Sequence, residues 1–78
     1  MRKVYVDTTA YFTKDGDIFP LKFVWEDGRK YTVDKVLDKR KAASLKVGGQ
    51  GIRYTCRVSG KEIYMFLEDG NRWFIEGK

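Results

Sequence analysis

Glu26-Asp27-Gly28 and Glu68-Asp69-Gly70 set two carboxylates side by side at two points of the chain, within FVWEDGRKYTV at 23–33 and MFLEDGNRWFI at 65–75. Paired carboxylates can share acid and base roles when their surroundings push their pKa values apart. Here each pair runs into Gly between aromatic and aliphatic runs, as at a turn tip, where carboxylates are hydrated and keep ordinary pKa values. Both are read as turns. Asp15-Gly16-Asp17 is read the same way, because a calcium loop needs further spaced oxygen ligands and a Glu at its twelfth position.

Histidine, the commonest general base and metal ligand, is absent, and the one cysteine rules out zinc sites built from Cys and His. Cys56 alternates with Tyr54 and Val58 and reads as a small buried apolar residue. Gly48-Gly49-Gln50-Gly51 lacks the strand-loop-helix setting and the Gly-Lys-Ser/Thr ending of a phosphate loop. It reads as a flexible hairpin connection whose backbone amides, flanked by Lys46 and Arg53, can add one contact to an anion. No catalytic residue, metal or cofactor is expected, and the chain is not expected to be an enzyme.

The informative chemistry is cationic and aromatic. The net charge is +5, and from Lys35 to Arg57 the basic residues Lys35, Lys39, Arg40, Lys41, Lys46, Arg53 and Arg57 are opposed by Asp38 alone. Nearly all the excess charge falls in that third of the sequence. Such a segment either attracts an anionic partner or serves as a solvated, solubilising loop.

The elements that must position these residues are strands. Turn signals at residues 15–17, 26–28, 48–51, 59–60 and 68–70 separate short runs rich in Val, Ile, Tyr, Phe, Trp and Thr. That spacing predicts an all-β chain of five to six antiparallel strands closing into a small open barrel, SH3-like or OB-like, as a single domain over 1–78. Val33 to Leu45 lacks a sustained apolar stripe and is expected to be a bent strand or at most one helical turn.

Register follows from asking which turn gathers apolar residues on one face. A three-residue loop at Glu26-Asp27-Gly28, with Gly28 as a left-handed bulge residue, faces Trp25 with Arg29, Phe23 with Tyr31 and Leu21 with Val33. A two-residue Asp-Gly turn would set Phe23 against Thr32 and mix the faces. Ser59-Gly60 as a two-residue turn pairs Cys56 with Ile63, Tyr54 with Met65 and Ile52 with Leu67, all inward. Extending the bulged reading to Glu68-Asp69-Gly70 adds Trp73 and Ile75 to the inward set. The outward face then carries Arg53, Thr55, Arg57, Tyr64, Phe66, Arg72 and Phe74.

Arginines that neutralise phosphate beside rings that stack bases are how small β-barrels hold single strands. The alternative is that an amino-terminal strand, Val4 to Phe12, covers Tyr64, Phe66 and Phe74 as a second core. The segments KFVWEDGRKYTVDKVLD, KAASLKVGGQGIRYTCRVSG and EDGNRWFIE together resemble a family of small, uncharacterised bacterial proteins with a compact β-barrel-like fold. The resemblance spans most of residues 18 to 76 and implies a bacterial, stand-alone domain, with no activity or site residue to transfer.

The expected function is a non-enzymatic module for single-stranded DNA or RNA. Its expected binding residues are Arg53, Arg57, Arg72, Tyr64, Phe66 and Phe74, with Lys39, Arg40, Lys41 and Lys46 alongside. The competing expectation is a protein-interaction or homodimerisation module working through an edge strand or the same aromatic patch. No apolar stretch approaches the roughly 20 residues of a membrane span, and Val4-Tyr5-Val6-Asp7 after the first three residues is not a signal-peptide core. With the lone Cys56, this points to a cytoplasmic location and no membrane partner.

Overall fold

The computed structural model describes residues 2–43 and 50–77. The described chain is all-β, with eight strands: β1 (Arg2–Tyr5), β2 (Asp7–Phe12), β3 (Ile18–Val24), β4 (Lys30–Thr32), β5 (Lys35–Ala43), β6 (Gln50–Val58), β7 (Lys61–Glu68) and β8 (Arg72–Gly77). They form a five-stranded antiparallel sheet in the order β1-β8-β7-β6-β5 and a three-stranded antiparallel sheet in the order β2-β3-β4. The antiparallel all-β class is as expected; the eight described strands, more than the five to six expected, lie in two sheets that are not closed into a barrel. The expected amino-terminal strand is cut in two after Tyr5: β1 joins the larger sheet beside β8, and β2 joins the smaller sheet beside β3.

Two of the three hairpin registers are as expected. Phe23 faces Tyr31, and the Trp25 N–H donates to the Arg29 carbonyl at 2.8 Å while the Gly28 N–H donates to the Trp25 carbonyl at 2.9 Å. Gly28 has φ +87°, which a residue with a Cβ adopts only at a cost. In the second hairpin Cys56 faces Ile63, Tyr54 faces Met65 and Ile52 faces Leu67. The third hairpin differs: its loop is Asp69-Gly70-Asn71, between the paired Glu68 and Arg72. Gly70 and Asn71 both take positive φ, +85° and +60°, and Asn is among the few side chains that tolerate that region. The loop shift changes partners by two residues, so Trp73 and Ile75 still face inward.

The inward faces meet as one core of Val4, Val6, Phe23, Tyr54, Cys56, Val58, Met65, Leu67, Trp73 and Ile75, with Phe19, Trp25, Tyr31 and Val33 packed against it. Tyr54 is fully buried, and its hydroxyl donates to the Ile18 carbonyl across the two sheets. That bond satisfies the one polar atom of the ring, which lies 5.2 Å from Trp73 and 6.3 Å from Phe19 between centroids. Trp25 is only half-buried, at the end of β3.

Two strands carry an extra residue. Thr9 faces Lys22 and Ala10 faces Pro20, so Leu21 is the unopposed residue of β3, and Val36 faces Cys56 while Asp38 faces Thr55, so Leu37 is that of β5. Leu21 was expected inward with Phe23, but the bulge turns it out to 46% exposure and places Pro20 in the interior. A proline without an N–H is tolerated at such a break in the ladder. Within the stretch expected as a bent strand or a helical turn, Lys35–Ala43 is strand β5 interrupted by the second bulge, and residues 44 and 45 lie outside the described residues.

Candidate nucleic-acid interface

Alternation along each strand sends one set of side chains to the core and the other to the outer face of the five-stranded sheet. One outer row crosses every strand: Arg40 faces Arg53, Arg53 faces Phe66, Phe66 faces Phe74 and Phe74 faces Tyr5. Tyr64, opposite Thr55, and Arg72, opposite Glu68, flank it. The strands thus bring Arg53, Arg57, Arg72, Tyr64, Phe66, Phe74 and Arg40 to one face.

Their exposure is unequal. Tyr64 is 51% exposed, with the Arg53 guanidinium 4.7 Å from its ring centroid. Phe66 is half-buried and stacks on Phe74 at 4.9 Å with the rings 7° from parallel. Phe74 itself is 3% exposed, because Tyr5 of β1 leans on it at 5.6 Å and the Lys3 ammonium lies 4.7 Å from its centroid. Phe74 therefore supports its neighbours and cannot receive a base. The cover by the amino-terminal strand is partial: β1 covers the β8 ring and leaves the β7 tyrosine open.

The cations divide as well. Arg57 is exposed and pairs in register with Glu62 on one side and Lys35 on the other. Arg40 is held by Asp38 at 2.8 Å, and that hydrogen bond lowers the Asp38 pKa and raises that of Arg40. Among the described residues the Arg53 Nε is buried without a hydrogen-bond partner, while its guanidinium stacks on Tyr64 and its charge adds to the lowering of the Asp38 pKa. Lys39 and Lys41 face Tyr54 and Ile52, which puts them on the opposite side of β5 from Arg40. The Lys39 ammonium is 3.0 Å from Asp17 and 4.9 Å from the Phe19 ring, so it ties β5 to the smaller sheet. Three consecutive basic residues cannot share one face of a strand. Lys46 lies outside the described residues.

Sequence reasoning missed Glu68, Lys3 and Tyr5. Glu68 lies 3.9 Å from both the Lys3 ammonium and the Arg72 Nε, and Arg72 also covers the Tyr5 ring at 4.2 Å. The interaction with the Glu68 carboxylate, with smaller contributions from desolvation and charge, pushes the Tyr5 phenol pKa up. Asp38, Glu62, Glu68 and Glu76 share the outer face by alternation, so its field is weaker than the run of basic residues implies. The signal was present: Glu62, Tyr64, Phe66 and Glu68 are two residues apart along one strand.

The exposed Tyr64 ring, backed by Arg53 with Arg57 nearby, is arranged to stack a flat ring and to neutralise an adjacent anion. Cys56 is fully buried and its thiol pKa is pushed up to about 11 by desolvation, which makes it inert as a nucleophile near neutral pH. Among the described residues, no three His, Cys, Asp or Glu side chains group to hold a metal, and no helix is long and apolar enough to cross a membrane. No family model, curated protein or solved structure matches this chain, so the reading of the face rests on its own geometry.

Proposed function

We propose that this domain is a non-enzymatic module that binds single-stranded DNA or RNA across the β5–β6–β7 part of the outer face. The observation that carries the proposal is the half-exposed Tyr64 ring with Arg53 stacked on it at 4.7 Å, on the same face as the exposed Arg57. A base can stack on the open side of Tyr64, while Arg53 and Arg57 meet the phosphates next to it. Arg40 and Phe66 extend the surface, and Arg72 borders it at the far side. The interleaved carboxylates disfavour a duplex, with its denser phosphate charge, relative to a single strand. Small open barrels of the SH3-like or OB sort bind strands on a comparable face, and that likeness enters as analogy. A cytoplasmic, bacterial setting belongs to the same proposal, in keeping with the lone buried thiol.

The test is a titration of labelled single-stranded DNA and RNA at low salt. Binding tighter than about 100 μM, weakening steeply as salt rises, is expected, and no binding in that range for either polymer removes the proposal. A second reading, self-association or protein binding through β2, is favoured by one observation. This edge strand of the smaller sheet exposes Tyr11 at 56% and Phe12 at 64% and carries no charge from Thr8 to Phe12. Sedimentation at rising protein concentration separates the two, since an apolar edge contact persists in high salt.

A further inference from the structure

Four described strands end the two sheets: β1 and β5 in the larger, β2 and β4 in the smaller. A bare edge strand invites pairing with another chain, and Lys or Arg along it is a common guard. β1 carries Arg2 and Lys3, β4 carries Lys30, and β5 carries Lys35, Lys39, Arg40 and Lys41. β2 has no cation, and its only charge is Asp7 at its start. None of its residues is buried, and Tyr11 and Phe12 are 56% and 64% exposed.

The backbone of that edge has a definite direction. The Thr13 N–H donates to the Asp17 carbonyl at 2.8 Å, so Thr13 points into the hairpin of β2 and β3. Alternation along an antiparallel strand then turns Tyr11 and Thr9 toward β3, and Phe12, Ala10 and Thr8 away from it. The bulge residue lies on β3, so the alternation runs unbroken along β2, and Pro20 opposite Ala10 is a position that owes β2 no N–H. The space those outward groups face is open. β1 parts from β8 once the Val6 N–H has bonded the Trp73 carbonyl at 3.1 Å, and a groove of about 420 Å³ follows between β2 and the start of β8. Thr8, Ala10 and Phe12 themselves line it.

We propose that β2 pairs with β2 of a second copy of this chain, antiparallel about a two-fold axis at Ala10, joining the two smaller sheets into one. In that register Ala10 meets Ala10 of the second copy and Thr8 meets its Phe12, so each outward N–H finds a carbonyl. Tyr11 packs across from the second copy's Thr9. Charge favours a second copy at this register. Asp7 falls opposite the second copy's Thr13 and next to its Lys14, and symmetry repeats the attraction at the other end. An axis at Thr8 would instead set two Asp7 carboxylates diagonally together, and an axis at Phe12 would run the pairing into the turn at 13–17. The basic run from Lys35 to Arg57 lies on β5 and β6 of the other sheet, whereas Asp7 to Asp17 holds Lys14 against Asp7, Asp15 and Asp17, so two cationic chains meet here with little repulsion. The inference rests on the self-association reading above and adds its partner and register, and it leaves the outer face of the larger sheet open.

The test is sedimentation of the full chain from roughly 5 to 500 μM in low and high salt, with amide hydrogen exchange at both ends of that range. The mass is expected to rise toward twice that of the monomer in either salt. At the higher concentration the Thr8, Ala10 and Phe12 amides are expected to exchange about tenfold more slowly than at the lower, while those of Thr9 and Tyr11, already held by β3, stay as they were. Ala10→Pro removes an outward N–H and none from the ladder with β3, and Thr9→Lys, at an exposed position, puts a cation on the seam beside Tyr11. Each is expected to weaken dimerisation by about tenfold or more, and Thr9→Lys, which alters no backbone group, keeps the test valid where Ala10→Pro fails to fold. A chain that stays monomeric overturns the inference together with the self-association reading and leaves strand binding intact. A dimer weakened by Thr9→Lys but without slower exchange at Thr8, Ala10 and Phe12 overturns the backbone pairing and keeps the self-association reading. A dimer indifferent to both variants sinks both.

Discussion

Tyr64 and Phe74 point to the same side of one sheet and differ from 51% to 3% in exposure, because β1 lays Tyr5 and Lys3 over Phe74, whereas Tyr64 meets the Arg53 guanidinium and is otherwise half open. At this scale alternation sets direction, and neighbours decide what solvent reaches. Gly28 is a simpler case: at φ +87°, a Cβ there would meet nothing within 4 Å, so the cost of a side chain is purely conformational. Gly28→Val is expected to lose on the order of 1 kcal/mol or more and Gly28→Asn distinctly less, as read from urea midpoints. Equal losses would place the cost elsewhere. Burial of two neutral acids gives a second residue-level expectation. Desolvation pushes the Tyr54 phenol from 10.0 up to about 12 and the Cys56 thiol from 9.0 up to about 11. A folded pKa above the unfolded one stabilises fully below the unfolded pKa, and that stabilisation is lost as pH rises through the folded value. The urea midpoint should therefore decline from about pH 9 upward, with Tyr54→Phe removing the part of the decline that begins near pH 10. A midpoint unchanged up to about pH 11 would contradict the burial of both groups.

Among the elements, the hairpins were legible and the irregularities were not. Gly28 and Ser59-Gly60 fix their registers locally, because only one turn type at each keeps apolar residues on one face. The Asp69-Gly70-Asn71 loop escaped because Glu-Asp-Gly looks alike at both sites, whereas the Asn after the second Gly can itself take positive φ. The bulges at Leu21 and Leu37 escaped because nothing in IFPLKFV or KVLDKRKAA separates an apolar residue facing the core from one extruded by a bulge, although Pro20 was a hint. Leu21→Ser should accordingly change stability by no more than about 0.5 kcal/mol, whereas Leu67→Ala, at 6% exposure, should cost about 2 to 5 kcal/mol. Thermal melts in which the two variants fall by similar amounts would mean that Leu21 is buried after all.

For the whole molecule, the antiparallel all-β class could be read from turn spacing, but the division into two sheets could not. It depends on β1 pairing with β8 from the far end of the chain and on the break at Val6, neither of which has a local signature. The candidate face was legible to the same extent: alternation named Arg53, Arg57, Tyr64 and Phe66, while the cover over Phe74 and the Glu68 cluster came from that long-range pairing. The sheet also separates Lys39 and Lys41 from Arg40, which reduces a strongly basic run to a face where cations and carboxylates alternate. Affinity should therefore depend on stacking as much as on charge. The central claim is tested most directly by measuring log affinity for a single-stranded oligonucleotide against log salt for the wild type, Tyr64→Ala and Arg57→Ala. The account predicts that Tyr64→Ala loses about 1 to 3 kcal/mol with its slope unchanged, while Arg57→Ala flattens the slope by about 0.7. Wild-type affinity and slope in both variants would contradict it.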